Sequence, residues 1–258
     1  MIGATAAAIL TNNDKIQGTG QLGDGQLTLV NGATGSINAY LTTALTINTG
    51  TGSLSNAGLI ESTNTGGLTI AGALSNTGTL TVTKGTLAVM AAVTGAGSVK
   101  IGGGVADFGS TFSENVTFTS TTGVLELSHS QTYAGQVTGL SKTGTSSLDL
   151  LDIAFAVGTT KSSFNGNATS GVFTITDGTH TAHITLMGDY TAATFTTSSD
   201  GHGGTTVVDP PAAGTASAMP LASAMAAFAP TVAGSLATAP GETLAPMAGS
   251  LVAPRLRS

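Results

Sequence analysis

A chain of 258 residues with 7 basic and 13 acidic side chains carries a formal charge of −6, and its cations (Lys15, Lys84, Lys100, Lys142, Lys161, Arg255, Arg257) are scattered. That excludes the concentrated cationic stripe a nucleic-acid surface needs, and the absence of cysteine excludes disulfides and thiolate metal sites. With 40% apolar, 8% charged and 4% aromatic residues and 37 glycines, the chain has the apolar content to collapse, and its Thr, Asn and Gly suit strands and tight turns better than helices.

The first ten residues, Met1 to Leu10, lack a cationic leader and are too short to span a bilayer, so neither a signal peptide nor a transmembrane segment is expected there. An internal repeat follows. Leu10-Thr11-Asn12 with Ile16, Leu54-Ser55-Asn56 with Ile60, and Leu74-Ser75-Asn76 with Leu80 share one phrase: Leu, a hydroxyl residue, Asn, and an aliphatic residue four positions later. The second and third copies lie 20 residues apart. The interval of 44 between the first two leaves room for a degenerate copy near Asn31 to Ile37.

Strands of a second type run between the copies: Leu27-Thr28-Leu29, Leu45-Thr46-Ile47, Leu68-Thr69-Ile70 and Leu87-Ala88-Val89, at spacings of 18, 23 and 19. A period near 20 that holds two or three short strands punctuated by Gly and Asn is what one coil of a β-helix requires. Alternate aliphatic residues then enter the bore while Thr and Ser point out. At about 4.8 Å per coil, residues 8–120 predict about six coils and a rod of about 30 Å. A leucine-rich repeat would show a longer Leu/Asn consensus and helices, and a β-sandwich would not repeat near-identical phrases.

Phenylalanine marks a change of module. None precedes Phe108, whereas Phe108, Phe112, Phe118, Phe155, Phe164, Phe173 and Phe195 follow. Val172 to Thr176 and Ala182 to Leu186 flank Asp177-Gly178, a hairpin signal. A second hairpin is predicted between Thr194 to Thr197 and Thr205 to Val208. Such hairpins would close a solenoid end that otherwise exposes unpaired backbone. Every proline lies in the last 49 residues, from Pro210 on, which read as a flexible Ala/Pro-rich tail with room for a short helix near 216–228. The expected fold is therefore all-β: a right-handed parallel β-helix over residues 1–120, a hairpin-rich continuation or capping module over 121–209, and a low-complexity tail over 210–258.

The phrases LSNAGLIES and ALSNTGTLTV, with LTI strands between them, resemble the passenger regions of autotransporters and filamentous-haemagglutinin-like adhesins. Leu148-Asp149-Leu150-Leu151-Asp152-Ile153, GVFTITDGTHTAHITLMGDYTAATF and SSDGHGGTTVVD resemble a module near the ends of large secreted bacterial repeat proteins. The resemblance covers about residues 8–209. It implies an extracellular or bacterial cell-surface structural or adhesive role, including in biofilm, toward surface glycans, host or matrix proteins, or further copies of the chain. The chain shows neither an outer-membrane barrel translocator nor a GGxGxD calcium array.

Catalysis is not expected. Glycoside hydrolysis wants two carboxylates about 5 to 9.5 Å apart, and the acids Glu61, Asp107, Glu114 and Glu126 are read as not recurring at the coil period. Lyase chemistry also wants a cation to steady an oxyanion, yet both arginines sit in the tail. Asp149 and Asp152 form the one close acidic pair, a choice between calcium ligation and turn capping. Asp200 with His202 poses the same choice, which turn geometry answers. His180 and His183 fall on opposite faces of a strand, and His129 stands alone. No catalytic, cofactor or metal residue is assigned. Asn12, Asn56 and Asn76 would stack at a coil corner as a structural ladder, and Thr79-x-Thr81-x-Thr83 does not recur as a flat threonine array would.

Overall fold

The computed structural model describes residues 8–210; the predicted tail beyond them and its short helix lie outside the described residues. Three sheets form the faces of a parallel solenoid. The first face stacks Ala8–Asn12, Leu27–Asn31, Leu54–Asn56, Leu74–Asn76 and Val93–Thr94. The second begins with Lys15–Gln17, Ser36–Ala39, Leu59–Ser62 and Thr79–Val82 and runs on through Ser98–Ile101, Asn115–Phe118 and Gln136–Thr138. The third begins with Gly20–Leu22, Leu45–Ile47, Leu68–Ile70 and Thr86–Val89 and continues through Val105–Phe108, Gly123–Leu127 and Ser146–Leu150. Seven coils result. Parallel stacking thus extends to Leu150, well past the point near residue 120 where the aliphatic phrases fade.

Register follows from the side chains the bore must shelter. Leu10, Leu29, Leu54, Leu74 and Val93 align on the first face. Ile16, Ile37, Ile60, Leu80, Val99, Val116 and Val137 align on the second, and Leu22, Ile47, Ile70, Val89, Phe108, Leu127 and Leu150 on the third. Because side chains alternate across a strand, a slip of one residue would turn every one of these into solvent. From the second coil on they are buried.

One element sits on a different face from that expected. Leu27-Thr28-Leu29 belongs to the first face, paired with the strands at Leu10 and Leu54, and the third-face strand of the first coil is Gly20–Leu22. The degenerate repeat is Leu29-Val30-Asn31. Val30 replaces the usual hydroxyl residue, and the turn to Ile37 is two residues longer than in the other copies, which blurs the phrase without altering the stack.

The phenylalanines arrive where the first face loses its strands. Among the described residues no first-face strand follows Val93–Thr94, and bulkier side chains take over the volume. Phe108 and Phe112 stack at 3.6 Å between ring centroids, and Phe112 stacks on Tyr133 at 5.6 Å.

The far end is closed by antiparallel pairing. Thr181–Met187 adds one more parallel strand to Gln136–Thr138; Ser170–Thr176 and Lys161–Gly166 then continue antiparallel. On the third face Thr205–Val208 pairs antiparallel with Ser146–Leu150 and carries Thr196–Ser199 outside it. Both predicted hairpins are present. Phe173, Ile175, Ile184, Leu186 and Val207 are buried and plug the bore, the job a capping element has in a stacked-coil fold.

Candidate functional site

The residue just before the last bore-facing side chain of each third-face strand points outward, and pairing puts these residues in single file: Gln21, Thr46, Thr69, Ala88, Asp107, Glu126, Asp149 and Thr206. Three consecutive places in that file are acidic. The expectation that the acids do not recur at the coil period is corrected here: Asp107, Glu126 and Asp149 are direct cross-strand neighbours. Their intervals of 19 and 23 match those of the LTI strands, and that match is the signal by which the row could have been found. Glu61 lies apart from it on the second face, between Asn38 and Thr81.

Strand spacing sets neighbouring rungs of the row about 4.8 Å apart along the axis, and like charges opposite one another destabilise a sheet. Burial raises the Asp107 carboxyl above its ordinary pKa. Burial also raises Glu126, helped by the charges of Asp107, Asp149 and Asp200 and opposed by His202. Asp149 is raised by burial and by Asp200, against the Thr206 hydroxyl and His202. The turn from Ser199 to Gly204 therefore overhangs the row with one more acid and a histidine. Asp200 Oδ1 accepts the His202 and Gly204 backbone N–H groups at 2.7 and 2.9 Å, the turn role expected of it. Asp200 Oδ2 and Asp149 Oδ1 are buried without a hydrogen-bond partner.

The other candidates separate. Asp152 accepts from the Ser130 hydroxyl at 2.5 Å and from the Gln131 backbone and side-chain amides, both at 3.2 Å, so it pins the turn over Ser130–Thr132, away from the row that holds Asp149. His180 Nδ1 bonds Asp177 at 2.9 Å, while His183 Nδ1 bonds Thr174 Oγ1 at 3.0 Å. Among the described residues no group of three or more His, Asp or Glu side chains is disposed to hold a metal ion.

A second polar arrangement lies inside the bore. Asn12, Asn31, Asn56 and Asn76 are buried, and each of the first three donates its side-chain amide to the next Asn Oδ1 at 2.7 Å. Backbone groups complete the set: the Gly58 and Gly78 N–H groups donate to Asn56 and Asn76, and Asn31 also donates to the Leu59 carbonyl. The next position holds Gly95, at φ +115° and close enough to Asn76 that any side chain would run into its carbonyl oxygen. One coil further on, Glu114 reaches across that gap and accepts from Asn76 Nδ2 at 2.7 Å. All four amides donate in the same direction, so the carboxylate stands at the positive end of their aligned dipoles.

Glu114 Oε1 has no partner, and burial raises this carboxyl above its usual pKa, against the bonds from Asn76 and Gly97 that lower it. Because the folded-state value lies above the unfolded one, the fold favours the protonated acid. The penalty is absent in acid, where both states are protonated, and develops as pH rises through the unfolded and then the folded value. Glu114→Gln is therefore expected to match the parent near pH 3 and to melt above it near pH 7, each about a unit clear of the ordinary carboxyl range or more. Thermal melts across that range check it.

An open trough of about 840 Å³ lies at the corner between the first and second faces, floored by small residues such as Gly35, Gly58, Gly78 and Gly97 and bordered by Thr79, Thr81 and Lys100. Among the described residues no helix is long and apolar enough to cross a membrane. No family model, curated protein or solved structure matches the chain, so the fold and the sites stand on their own geometry.

Proposed function

We propose that the chain is a non-catalytic structural or adhesive rod at the cell surface or outside the cell, of the autotransporter-passenger type, which holds shallow polar faces toward surface glycans or matrix proteins. The observation that supports this reading is the open trough, which crosses four coils in register and offers backbone, methyl and hydroxyl groups with Lys100 as its one charged border. Such a surface suits many weak contacts to an extended polymer, where repetition rather than any deep pocket supplies avidity. Saturable binding of the purified chain to members of a panel of glycans and matrix proteins, weakened at least tenfold by Thr79→Glu, is the expected result. Absence of binding across the panel, or binding indifferent to Thr79→Glu, overturns it.

A second reading, cleavage of a glycan, is favoured by the acid row. Neighbouring rungs approach the short carboxyl separation of a retaining hydrolase, and Asp107 and Asp149, two rungs apart, approach the longer inverting one. Raised carboxyl pKa values on all three suit a pair that shares a proton between acid and base. Release of reducing ends from the same panel, abolished by Glu126→Gln or Asp149→Asn, would replace the first reading. An inactive parent chain removes the second.

A further inference from the structure

We infer that the chain cuts itself between Asp209 and Pro210, with the Asp209 side-chain carboxylate as nucleophile. This is the one place in the sequence where proline follows an aspartate, and it comes directly after the cap strand Thr205–Val208. The pairing matters chemically. An aspartyl carboxylate that attacks its own main-chain carbonyl carbon closes a five-membered ring, an intramolecular reaction that needs no second molecule to be brought up. Proline leaves as a secondary amine, whose nitrogen takes a proton more readily than that of other residues.

The fold holds both reacting groups. Asp209 is 2% exposed, and its Oδ1 accepts the Thr194 N–H at 3.1 Å. Its main-chain oxygen, where negative charge collects during the attack, accepts the Gly144 N–H at 2.9 Å, the placement of an oxyanion donor. Gly144 takes φ +72° there, and a Cβ on it would meet the Pro210 Cα at 3.4 Å, so this turn packs directly on the leaving residue. A recess of about 190 Å³ lined by Lys142, Asp189, Asp209 and Pro210 admits water to the bond. Lys142 Nζ donates to the Asp189 main-chain oxygen and lies 5.1 Å from the centre of the Tyr190 ring; Lys142, Asp189 and Tyr190 are the ionisable groups around Asp209 among the described residues.

The reaction balances with water as its one co-reactant. A carboxylate oxygen bonds to the Asp209 carbonyl carbon, the C–N bond to Pro210 breaks, and the nitrogen leaves with a proton from solvent. The cyclic anhydride left on Asp209 then takes up water, so the larger product ends in a free Asp209 and the Ala/Pro-rich remainder begins with the Pro210 amine. Carboxylate plus one proton has the composition of the neutral acid, so the rate is highest where the acid form prevails and falls as pH rises through the folded-state value. Burial pushes that value above the ordinary one, against the Thr194 N–H and Lys142, which carries cleavage into milder acid than an unfolded Asp-Pro bond needs.

The full chain is held at about pH 5, above the ordinary aspartate value, either folded or in urea beyond its unfolding midpoint, and the products are weighed by mass spectrometry. The folded chain is expected to split into residues 1–209 and 210–258 at least about tenfold faster than the unfolded one, within what a single oxyanion donor supplies. Asp209→Asn, which can still accept from Thr194, and Pro210→Ala are expected to stay whole, with slow hydrogen exchange over Thr205–Val208 showing that the cap is intact. With hydroxylamine in the buffer, the anhydride is expected to be trapped as a hydroxamate on Asp209. A folded chain that splits no faster than the unfolded one overturns the inference, since burial then only shields the bond. Splitting that survives in Asp209→Asn, or a larger fragment free of hydroxamate, overturns the assignment of the nucleophile and leaves direct attack by water or a stray protease.

Discussion

Excision of residues 54–73 leaves a folded rod one coil shorter, whereas excision of residues 54–63 unfolds it. After the longer deletion Leu74 follows Ser53, and Leu74, Asn76, Leu80 and Leu87 take the places of Leu54, Asn56, Ile60 and Leu68 against Leu29, Asn31, Ile37 and Leu45. Every stack and the ladder reconnect in register. Stability falls by about one coil interface, because a stacked-coil fold is close to a sum over neighbours, and the urea m-value falls by roughly a tenth as less surface is exposed on unfolding. The shorter deletion removes the strands Leu54–Asn56 and Leu59–Ser62 but keeps Leu68–Ile70, so a third-face strand arrives where a first-face strand must sit. Circular dichroism and urea titration of the two variants decide the matter; the opposite order of outcomes would refute stacking by coil.

Asn56→Ala is expected to cost about 2–4 kcal/mol, with the damage carried by its neighbours. The change leaves the Asn31 amide and Asn76 Oδ1 without the 2.7 Å bonds that join them to Asn56 and frees the Gly58 N–H, in a bore where Asn31, Asn56 and Asn76 are at most 1% exposed. An unsatisfied buried donor or acceptor costs about 1–3 kcal/mol, and the remaining bonds from Asn31 to Leu59 and from Gly78 to Asn76 soften the total. Leucine at the same site restores volume but no bonds, so it rescues little. Asn12→Ala costs less because Asn12 has a ladder neighbour on one side only, and Ser55→Ala, on the outward side, stays within about 0.5 kcal/mol. Urea unfolding of the four variants gives the ranking, and equal losses at Asn12 and Asn56 would show that the ladder does not act as a connected unit.

The repeat could be read from residues because burial in a solenoid is local and periodic. Leu54-Ser55-Asn56 and Leu74-Ser75-Asn76 face the same neighbours and so keep the same chemistry. The same logic hid what departs from the period. Leu27-Thr28-Leu29 has the alternation of a third-face strand, and only pairing with Leu54 reveals its true face. Phe112 and Tyr133 replace a strand by aromatic volume, so coils six and seven carry no first-face phrase to recognise. Glu114 looks like any surface acid in the sequence, since its burial depends on Gly95 leaving a gap one coil below. The acid row was legible only once intervals of 19 and 23 were taken as single rungs, because outward residues are under no pressure to repeat in type.

By itself the sequence determined the all-β character, the period, the identity of the bore residues and the two hairpins, because these follow from alternation, turn chemistry and recurrence within some twenty residues. Only the tertiary structure decided which face each strand joins, how four asparagines and a glutamate become one directed chain of hydrogen bonds, and that Asp107, Glu126 and Asp149 stand in line. Those facts depend on variable turns summed over a coil, and a turn two residues longer moves the register in sequence while leaving the neighbours in space unchanged.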